Sequence, residues 1–480
     1  MVLPVLKKAA LLVAVAASSI IAENHFPDST TCDEKCQNTT FNAAQWISEQ
    51  QSDPTFEFYK APSKFLADLG PGVVLEAEEV TDLTNYLVPS GLTMSRVIYT
   101  TEDINGKIIP ASAYVLWPYS PYSANPNSKK QPMPMVAWAH GTTGTFKPCA
   151  PSSYRALQYH FQAPFALALQ GIAVVAPDYA GLGVSELPNG DTIPHPWVAA
   201  PAHANDLANA VTAARSAFSD LLDPKGPFVA MGHSQGGGAA WAFAERQAKK
   251  PLKGYQGTVA IAPVTRILDD LAYFDDNGIV AAVTFGQTAL IDSVSKIYPE
   301  YNYTGLTPKS YDRWHNVLAK VDGCFPLLPL VFGDLKPEEV AQPKWYEDDI
   351  PKKWAKKVEA GRKTFAGPLL VLNGANDSVV RQEGVKAAVD DTCNLIQKSR
   401  LKDSIEHVTY NAMDHFPVIQ ASQMKWMGWV KDRLSGKAVE KRGCSSEIVP
   451  GLRTESTVQT STPNFFLSFF RQDEAWKYGL

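Results

Sequence analysis

The sequence has no long run of like-charged residues and no long hydrophobic run after residue 22. Its formal net charge is −5, and charges of both signs are spread through the 480 residues. Proteins that bind nucleic acid usually carry a basic patch, so we expect no nucleic-acid partner. No segment after residue 22 has the roughly 20 consecutive apolar residues that a membrane-spanning helix needs.

Cysteine is scarce and is not arranged as in a zinc site. The six cysteines are Cys32, Cys36, Cys149, Cys324, Cys393 and Cys444. Only the first two lie close together, and no second pair or histidine pair completes four ligands at a zinc-like spacing. We therefore expect no bound metal. An even number of cysteines is typical of disulfides formed outside the cytosol, but the sequence alone leaves their pairing open.

The N-terminus has the pattern of a secretory signal peptide. Lys7 and Lys8 precede an apolar stretch of small residues, AALLVAVAASSIIA, at 9–22. This stretch is too short to span a bilayer as a helix and ends in small residues suited to cleavage. We assign 1–22 as the signal peptide, with a membrane anchor as the alternative, and expect a secreted, extracellular protein. Glycosylation acceptor sequences at Asn38 and Asn302 agree with that compartment.

Two β-prone segments follow an N-terminal extension at 23–90, which reads as mixed helix and loop. The segments are LTMSRVIYT at 92–100 and KIIPASAYVLW at 107–117. The Asn105-Gly106 pair between them suits a tight turn, so the pattern predicts a hairpin.

After the hairpin, short apolar runs alternate with helical segments. Continuous apolar runs are typical of strands that are covered on both faces. The runs lie at 133–140, 171–179, 227–232, 257–264, 367–374 and 405–411. Apolar residues recur at helical spacing between them, most clearly at 201–219, 237–249 and 420–434. This alternation predicts an α/β fold with a mostly parallel sheet and helices on both faces.

One connection is far longer than the others. About a hundred residues at 266–366 separate two strands, where a crossover needs only a dozen or more. We interpret them as an inserted helical cap over a ligand cleft, with a peripheral decoration as the alternative. The insertion divides the core into 91–265 and 367–444. The tail at 445–480 carries the aromatic segment NFFLSFF, and either folds back as a flap or packs on the surface.

The stretch GHSQG at 232–236 places Ser234 between a predicted buried strand and a predicted helix. Gly-X-Ser-X-Gly alone is a weak signal. In a strand–turn–helix context, however, the serine occupies a strained apex that projects its hydroxyl into a cleft. Glycines flank it because a Cβ there would collide with the adjoining strand and helix. Ser234 is therefore the candidate nucleophile.

A serine hydroxyl needs a base within hydrogen-bond reach, and the base needs an orienting acid. On this type of sheet the acid and then the histidine follow the serine along the chain. Asp377 follows the run at 367–374, and His415 follows the last run. Asp270 and Asp414 are competing acids, although Asp414 adjoins the histidine. His407 lies inside a predicted strand and reads as structural.

The tetrahedral intermediate carries a negative oxygen that needs preplaced hydrogen-bond donors. We expect one donor to be the backbone N–H of Gln235 at the start of the helix. The second is expected from the turn HGTTG at 140–144, where Thr142 or Thr143 offers a backbone or hydroxyl donor. The alternative is that the two glycines only mark a turn.

Several of these segments together resemble the fungal secretory lipase family. The resemblance rests on HGTTG…CAPS at 140–152, APDYAGLG at 176–183 and GHSQGG at 232–237, with Asp377 and the late His415. It covers roughly residues 60–445. The family implies an α/β-hydrolase core, a helical lid between the nucleophile strand and the acid, and hydrolysis of carboxylic esters.

Carried over onto this sequence, the resemblance implies a triad of Ser234, Asp377 and His415. It also implies disulfides that join Cys149 to Cys324 and Cys393 to Cys444. The remaining pair is then Cys32 and Cys36. The aromatic tail is longer than the family's short C-terminal flap, and GHSQG is common among esterases generally, so the resemblance does not distinguish a long-chain glyceride from a smaller ester.

The leading hypothesis is a secreted lipase or esterase that works through an acyl-serine intermediate without a cofactor. The alternative is a short-chain acyl esterase, such as an acetyl esterase, acting on a sugar or a secondary metabolite. A serine peptidase and an inactive, ligand-binding hydrolase fold are less favoured, since all three triad candidates are present. The expected partner is a small-molecule or lipid ester, with the cap and tail at the lipid interface and the protein a monomer.

Overall fold

The computed structural model describes residues 25–123, 133–158, 163–399 and 403–451. The expected signal peptide and the aromatic segment of the tail lie outside these residues. Among the helices that are described, none combines the length and the apolar character needed to cross a membrane.

Ten strands within the described residues form one mixed sheet in the order β1-β2-β3-β5-β4-β6-β7-β8-β9-β10. Neighbours from β1 to β5 pair antiparallel, and those from β5 through β4 to β10 pair parallel. The strands are β1 (Val74–Glu78), β2 (Leu92–Glu102), β3 (Ile108–Pro118), β4 (Met135–Ala139), β5 (Ala173–Pro177), β6 (Phe228–His233), β7 (Tyr255–Ile261), β8 (Pro368–Gly374), β9 (Ser404–Tyr410) and β10 (Gly443–Val449). The predicted hairpin is β2 and β3, and the six apolar runs are β4 to β9.

Helices cover both faces of the sheet, so the predicted α/β architecture is confirmed. The helices are α1 (Glu34–Glu49), α2 (Pro164–Leu169), α3 (Ala200–Ala217), α4 (Gln235–Gln247), α5 (Ile267–Asp276), α6 (Val280–Ile297), α7 (Pro308–Arg313), α8 (Leu328–Phe332), α9 (Pro337–Val340), α10 (Asp349–Val358), α11 (Gln382–Ser399), α12 (Pro417–Ala421) and α13 (Gln423–Leu434). One apolar core joins the sheet to α3, α4 and α11, and another joins it to α2, α12 and α13. The central strands are apolar throughout because both of their faces are buried.

The insertion between β7 and β8 forms a helical cap, α5 to α10, with its own apolar core. In α10, Trp354 and Val358 are buried while the lysines around them face solvent, as expected for an amphipathic helix. The N-terminal helix α1 packs into the same core through Ala43 and Ile47. Arg313 also donates to the backbone oxygen of Thr31 at 2.7 Å. The N-terminal extension therefore supports the cap rather than standing apart from it.

The sequence pattern predicts neither of the two edge strands. Within the extension predicted as helix and loop, β1 pairs antiparallel with β2. At the other edge, β10 spans the expected boundary at 445 and pairs parallel with β9. Both strands are short and largely exposed, with charged or serine residues. Neither segment has the hydrophobic pattern that predicts a strand. Each is extended because it pairs with a neighbouring strand in the folded protein.

Candidate active site

Ser234 lies at the turn between β6 and α4, with a backbone φ of 59° and ψ of −122°. A positive φ is strained for a non-glycine residue and is common at functional sites. The chain folds this way because Gly232 and Gly236 leave room for it. A Cβ on Gly232 would lie 2.1 Å from the oxygen of Gly236, and one on Gly236 would lie 2.0 Å from the oxygen of Ala139. The two glycines thus allow β6, α4 and β4 to approach closely.

The structure brings the three predicted triad residues together. His415 Nε2 lies 2.9 Å from Ser234 Oγ. Its Nδ1 lies 2.9 Å and 3.1 Å from the two carboxylate oxygens of Asp377. With the proton on Nδ1, the ring donates a hydrogen bond to the carboxylate, and its Nε2 accepts a hydrogen bond from the serine hydroxyl. This is the arrangement of a nucleophile, a base and an orienting acid. The side chains of His415 and Asp377 are almost completely buried.

The acid loop holds Asp377 by its backbone. Oδ1 of Asp377 accepts the N–H groups of Val379 at 2.9 Å and Val380 at 2.7 Å. Asp414 contacts the same loop instead of the imidazole, because its Oδ1 accepts from the N–H and the hydroxyl of Ser378. Asp414 thus supports the loop that carries the acid.

The structure also shows the contacts of the other histidine considered, His407, and of the other competing acid, Asp270. His407 Nε2 contacts Asn373 Oδ1 at 2.7 Å inside the sheet, which agrees with a structural role. Asp270 lies in the wall of the cavity described below, 3.6 Å from Arg381. Burial raises the pKa of Asp270 to about 7, and the nearby Arg381 opposes that rise.

His233, the residue before the nucleophile, packs on the predicted base. Its Nε2 donates to the backbone oxygen of His415 at 2.9 Å, and the two ring centres lie 4.6 Å apart. Burial holds the pKa of His233 well below its usual range, with the nearby His415 adding to the shift, so its ring is neutral. No local sequence pattern predicts this contact of His233, because its partner is 182 positions away along the chain.

The two predicted oxyanion donors come from the helix that follows the serine and from the turn that follows β4. Gln235 is the first residue of α4, where backbone N–H groups have no partner inside the helix. Thr142 follows β4, and its hydroxyl oxygen accepts from Trp197 Nε1 at 2.9 Å. That contact leaves the Thr142 hydroxyl hydrogen available to donate. Trp197 comes from a proline-rich loop with no periodic pattern, so no signal in the sequence predicts its place at the site.

A cavity of about 320 Å³ opens at the serine, and Thr142, Ser234 and His415 all line it. Its remaining wall is mainly apolar and comes from the loop of Trp197, the segment after β7, the cap, the acid loop and the residue after His415. The apolar lining consists of Trp197, Val198, Val264, Ile267, Leu271, Phe274, Leu290, Phe325, Val379, Val380 and Phe416. The cap helices α5 and α6 therefore cover the predicted nucleophile with an apolar surface, as the interpretation of 266–366 as a cap requires.

The described residues contain the three disulfides that the resemblance implies. Cys149 is joined to Cys324, and this bond links the loop after β4 to the cap. Cys393 on α11 is joined to Cys444 on β10, and Cys32 to Cys36 at the start of α1. In the part of the chain described, no group of three or more His, Cys, Asp or Glu side chains is arranged to hold a metal ion.

The two expected glycosylation sites differ in exposure. Asn302 is exposed at the end of a short turn, whereas Asn38 is half-buried within α1. Glycosylation at either position remains a prediction.

Comparison with known proteins agrees with the architecture. A family model described as "Alpha/beta hydrolase family" matches residues 136–423, which is more than half of the chain. None of the curated protein sequences matches.

Solved structures with a similar fold include lipases and an esterase. Lipase A of Candida antarctica in its closed state has a TM-score of 0.63 at 15% identity, covering 88% of this chain and 94% of that one. A second structure of that lipase has a TM-score of 0.62 at 14% identity, covering 85% and 91%. The rice cell wall degrading esterase LipA of Xanthomonas oryzae has a TM-score of 0.53 at 19% identity, covering 76% and 98%. At these identities the similarity concerns the fold, and it agrees with the lipase-like fold that the resemblance implies.

Proposed function

Because this chain belongs to the alpha/beta hydrolase family, we propose that it is a secreted hydrolase of carboxylic esters that acts through an acyl-serine intermediate. One observation carries the proposal: the hydrogen-bonded chain from Ser234 through His415 to Asp377 opens into an apolar, cap-covered cavity. A hydroxyl made nucleophilic by a base, next to an apolar pocket, suits the attack on an acyl ester.

In the proposed reaction, Ser234 Oγ attacks the ester carbonyl while His415 Nε2 takes its proton. Asp377 holds the imidazole and stabilises the positive charge that forms on it. The carbonyl oxygen becomes an oxyanion and accepts hydrogen bonds from Gln235 N–H and from Thr142. The alcohol then leaves with the proton from His415. A water molecule repeats the attack on the acyl-serine, which releases the acid and restores the serine.

The pocket also supports a second candidate, the short-chain acyl esterase. A cavity of about 320 Å³ lies near the lower end of the roughly 300–1,000 Å³ range of small-molecule pockets. With the cap in this position, the pocket suits a short or medium acyl chain. A long-chain glyceride requires the cap to move or the chain to leave through the mouth of the cavity.

The remaining proposals concern the location, processing and oligomeric state of the protein. Three disulfides among the described residues support an extracellular location, since such bonds persist in oxidising compartments. Cleavage of a signal peptide at 1–22, glycans at Asn38 and Asn302, a monomeric state and contact of the cap and tail with a lipid interface belong to the same proposal.

The first test measures hydrolysis of nitrophenyl esters from acetyl to palmitoyl, the short-chain esters in solution and the long-chain esters as emulsions. We expect activity in the wild type and a loss of at least about 1,000-fold in Ser234→Ala, because the nucleophile is removed. Ser446→Ala, on the exposed edge strand, serves as the control and should keep full activity. Near wild-type turnover by Ser234→Ala would contradict the proposal.

The acyl-chain profile distinguishes the two candidates. Highest activity with acetyl or butyryl esters in solution favours the short-chain esterase, whereas a rise in rate with emulsified long-chain esters favours a lipase. Cleavage of peptides without any cleavage of esters would point to a serine peptidase. A wild-type protein that neither hydrolyses esters nor reacts with a fluorophosphonate probe at Ser234 would be a binding protein.

A further inference from the structure

The Gln235 side chain is buried and lies between two histidines. Its Nε2 is 3.1 Å from His203 Nε2 and 3.4 Å from His195 Nε2. An amide nitrogen has two hydrogens and can only donate. Each histidine must therefore accept at Nε2 and carry its own proton on Nδ1.

The surroundings of His195 agree directly with that assignment. His195 Nδ1 lies 3.1 Å from the backbone oxygen of Ala180, an acceptor for its proton. His203 Nδ1 makes no hydrogen bond within the described residues, but it lies 3.9 Å from the carboxylate of Asp206, whose negative charge favours a proton on that nitrogen. Burial holds the pKa of His195 well below its usual range, and the nearby His203 adds to the shift. A neutral His195 keeps its Nε2 lone pair available to Gln235.

A stack of aromatic rings connects the cluster of Gln235, His195 and His203 to the turn after β4. The ring of Tyr179 lies 4.3 Å from His203 and 4.1 Å from His140, in stacked geometry. The Tyr179 hydroxyl donates to the backbone oxygen of His140 at 2.9 Å. His140 begins the turn that carries Thr142. The first residue of α4 and the turn after β4 are thus held by one continuous buried cluster.

We propose that His203 and His195, acting through the Gln235 side chain, are positioning residues for the oxyanion hole. The inference rests on the proposed function, since it concerns the same reaction. The two histidines touch neither the substrate nor the reacting atoms. They hold the start of α4 so that the Gln235 N–H points at the developing oxyanion, at a fixed distance from the turn of Thr142. Preplaced donors of this kind act mainly in the transition state.

The test is Gln235→Met, which keeps the backbone N–H and a similar side-chain volume but removes the amide donor. We expect kcat to fall by roughly 10- to 100-fold, since small displacements of catalytic groups have effects of this size. KM should change by less than about twofold, because the donor acts mainly in the transition state. A boronic acid that mimics the tetrahedral intermediate should bind more weakly by the same factor as kcat/KM falls.

The matched control is Gln247→Met, at the other end of the same helix. Gln247 is also buried, and its Oε1 accepts the N–H of Leu252 at 2.6 Å. This variant loses an equivalent buried amide contact and should keep kcat. Equal losses of kcat in the two variants would mean a general effect on the helix and would overturn the inference, as would an unchanged kcat in Gln235→Met.

His203→Phe is a second test of the same inference, and it can be used if Gln235→Met does not fold. Phenylalanine keeps the stack on Tyr179 but cannot accept from Gln235. We expect a lower kcat at constant KM, with a smaller loss for His195→Phe, whose contact is longer. Full activity in both variants would overturn the inference and leave the proposed ester hydrolysis intact. An inactive wild type would instead count against the proposed function.

Discussion

At the scale of single residues, Glu245 is a buried carboxyl that lies outside the site. Its Oε1 accepts the N–H of Gly361 at 2.7 Å, and its other oxygen lies 3.6 Å from Lys363. Burial raises the pKa of Glu245 from 4.5 to about 7, and the nearby Lys363 opposes that rise. The folded state therefore binds a proton at the Glu245 carboxyl more tightly than the unfolded state does. The contribution of protonated Glu245 to the free energy of unfolding is full below about pH 4.5 and is lost as the pH rises through about 7.

We predict that Glu245→Gln removes this dependence, because the amide keeps the acceptor for Gly361 without ionising. The free energy of unfolding of the variant relative to wild type should rise by roughly 2 kcal/mol between about pH 5 and about pH 8. Chemical denaturation of both proteins at the two pH values measures it. Glu57→Gln, at an exposed position, is the control and should show no such trend. A constant difference between Glu245→Gln and wild type would contradict the raised pKa.

At the scale of secondary-structure elements, the turn from β6 to α4 depends on the close approach of backbones. Gly236 lies where a Cβ would be 2.0 Å from the backbone oxygen of Ala139 on β4. A backbone atom in a central strand cannot move away as the end of a flexible side chain can. The strained φ of Ser234 persists because this packing holds both sides of the turn.

We predict that Gly236→Ala destabilises the protein by about 3 kcal/mol, because the added methyl group overpacks the junction of α4 and β4. It should also lower activity, since the proposed nucleophile Ser234 and the proposed oxyanion donor Gln235 shift together. Gly428→Ala is the matched control: it also lies in a helix, α13, and a Cβ there meets no atom within 4 Å. Thermal unfolding should show the control slightly stabilised, by about 0.5–1 kcal/mol. Equal stability of the two variants would refute the steric argument.

At the scale of the whole molecule, the cap is joined to the core beside the oxyanion turn. The Cys149–Cys324 disulfide links positions 175 residues apart. Next to it, the N–H of Phe325 donates to the backbone oxygen of Thr143 at 2.9 Å. Phe325 also lines the cavity. The same junction thus carries the cap, part of the cavity wall and the turn of the proposed oxyanion donor Thr142.

We predict that Cys149→Ala/Cys324→Ala lowers the free energy of unfolding by roughly 3–5 kcal/mol, because a long loop regains its freedom in the unfolded state. The comparison is Cys32→Ala/Cys36→Ala, whose cysteines are only four positions apart. Its expected loss is about 2 kcal/mol by the same loop-entropy relation. Denaturant unfolding of both double variants gives the difference. A larger loss in the second variant would mean that loop length does not control the effect.

Much of the fold is readable from the sequence because its signals are local. Each central strand is a short apolar run, and the strand–turn–helix pattern at Ser234 depends on neighbouring residues. The chain order of serine, acid and histidine then selects Asp377 and His415 on a parallel sheet, where strand ends meet at one edge. The edge strands β1 and β10 lack such a signal, since their extended conformation depends on pairing with β2 and β9.

By itself, therefore, the sequence determined the α/β architecture and the inserted cap, and it predicted a triad whose three residues the structure brings together. Only the tertiary structure decided which side chains surround them. The contacts of His233 with His415, of Gln235 with His203, and of the cap with the cavity join positions far apart in the chain. No periodicity or spacing encodes such contacts, because they arise when separately formed elements pack against one another.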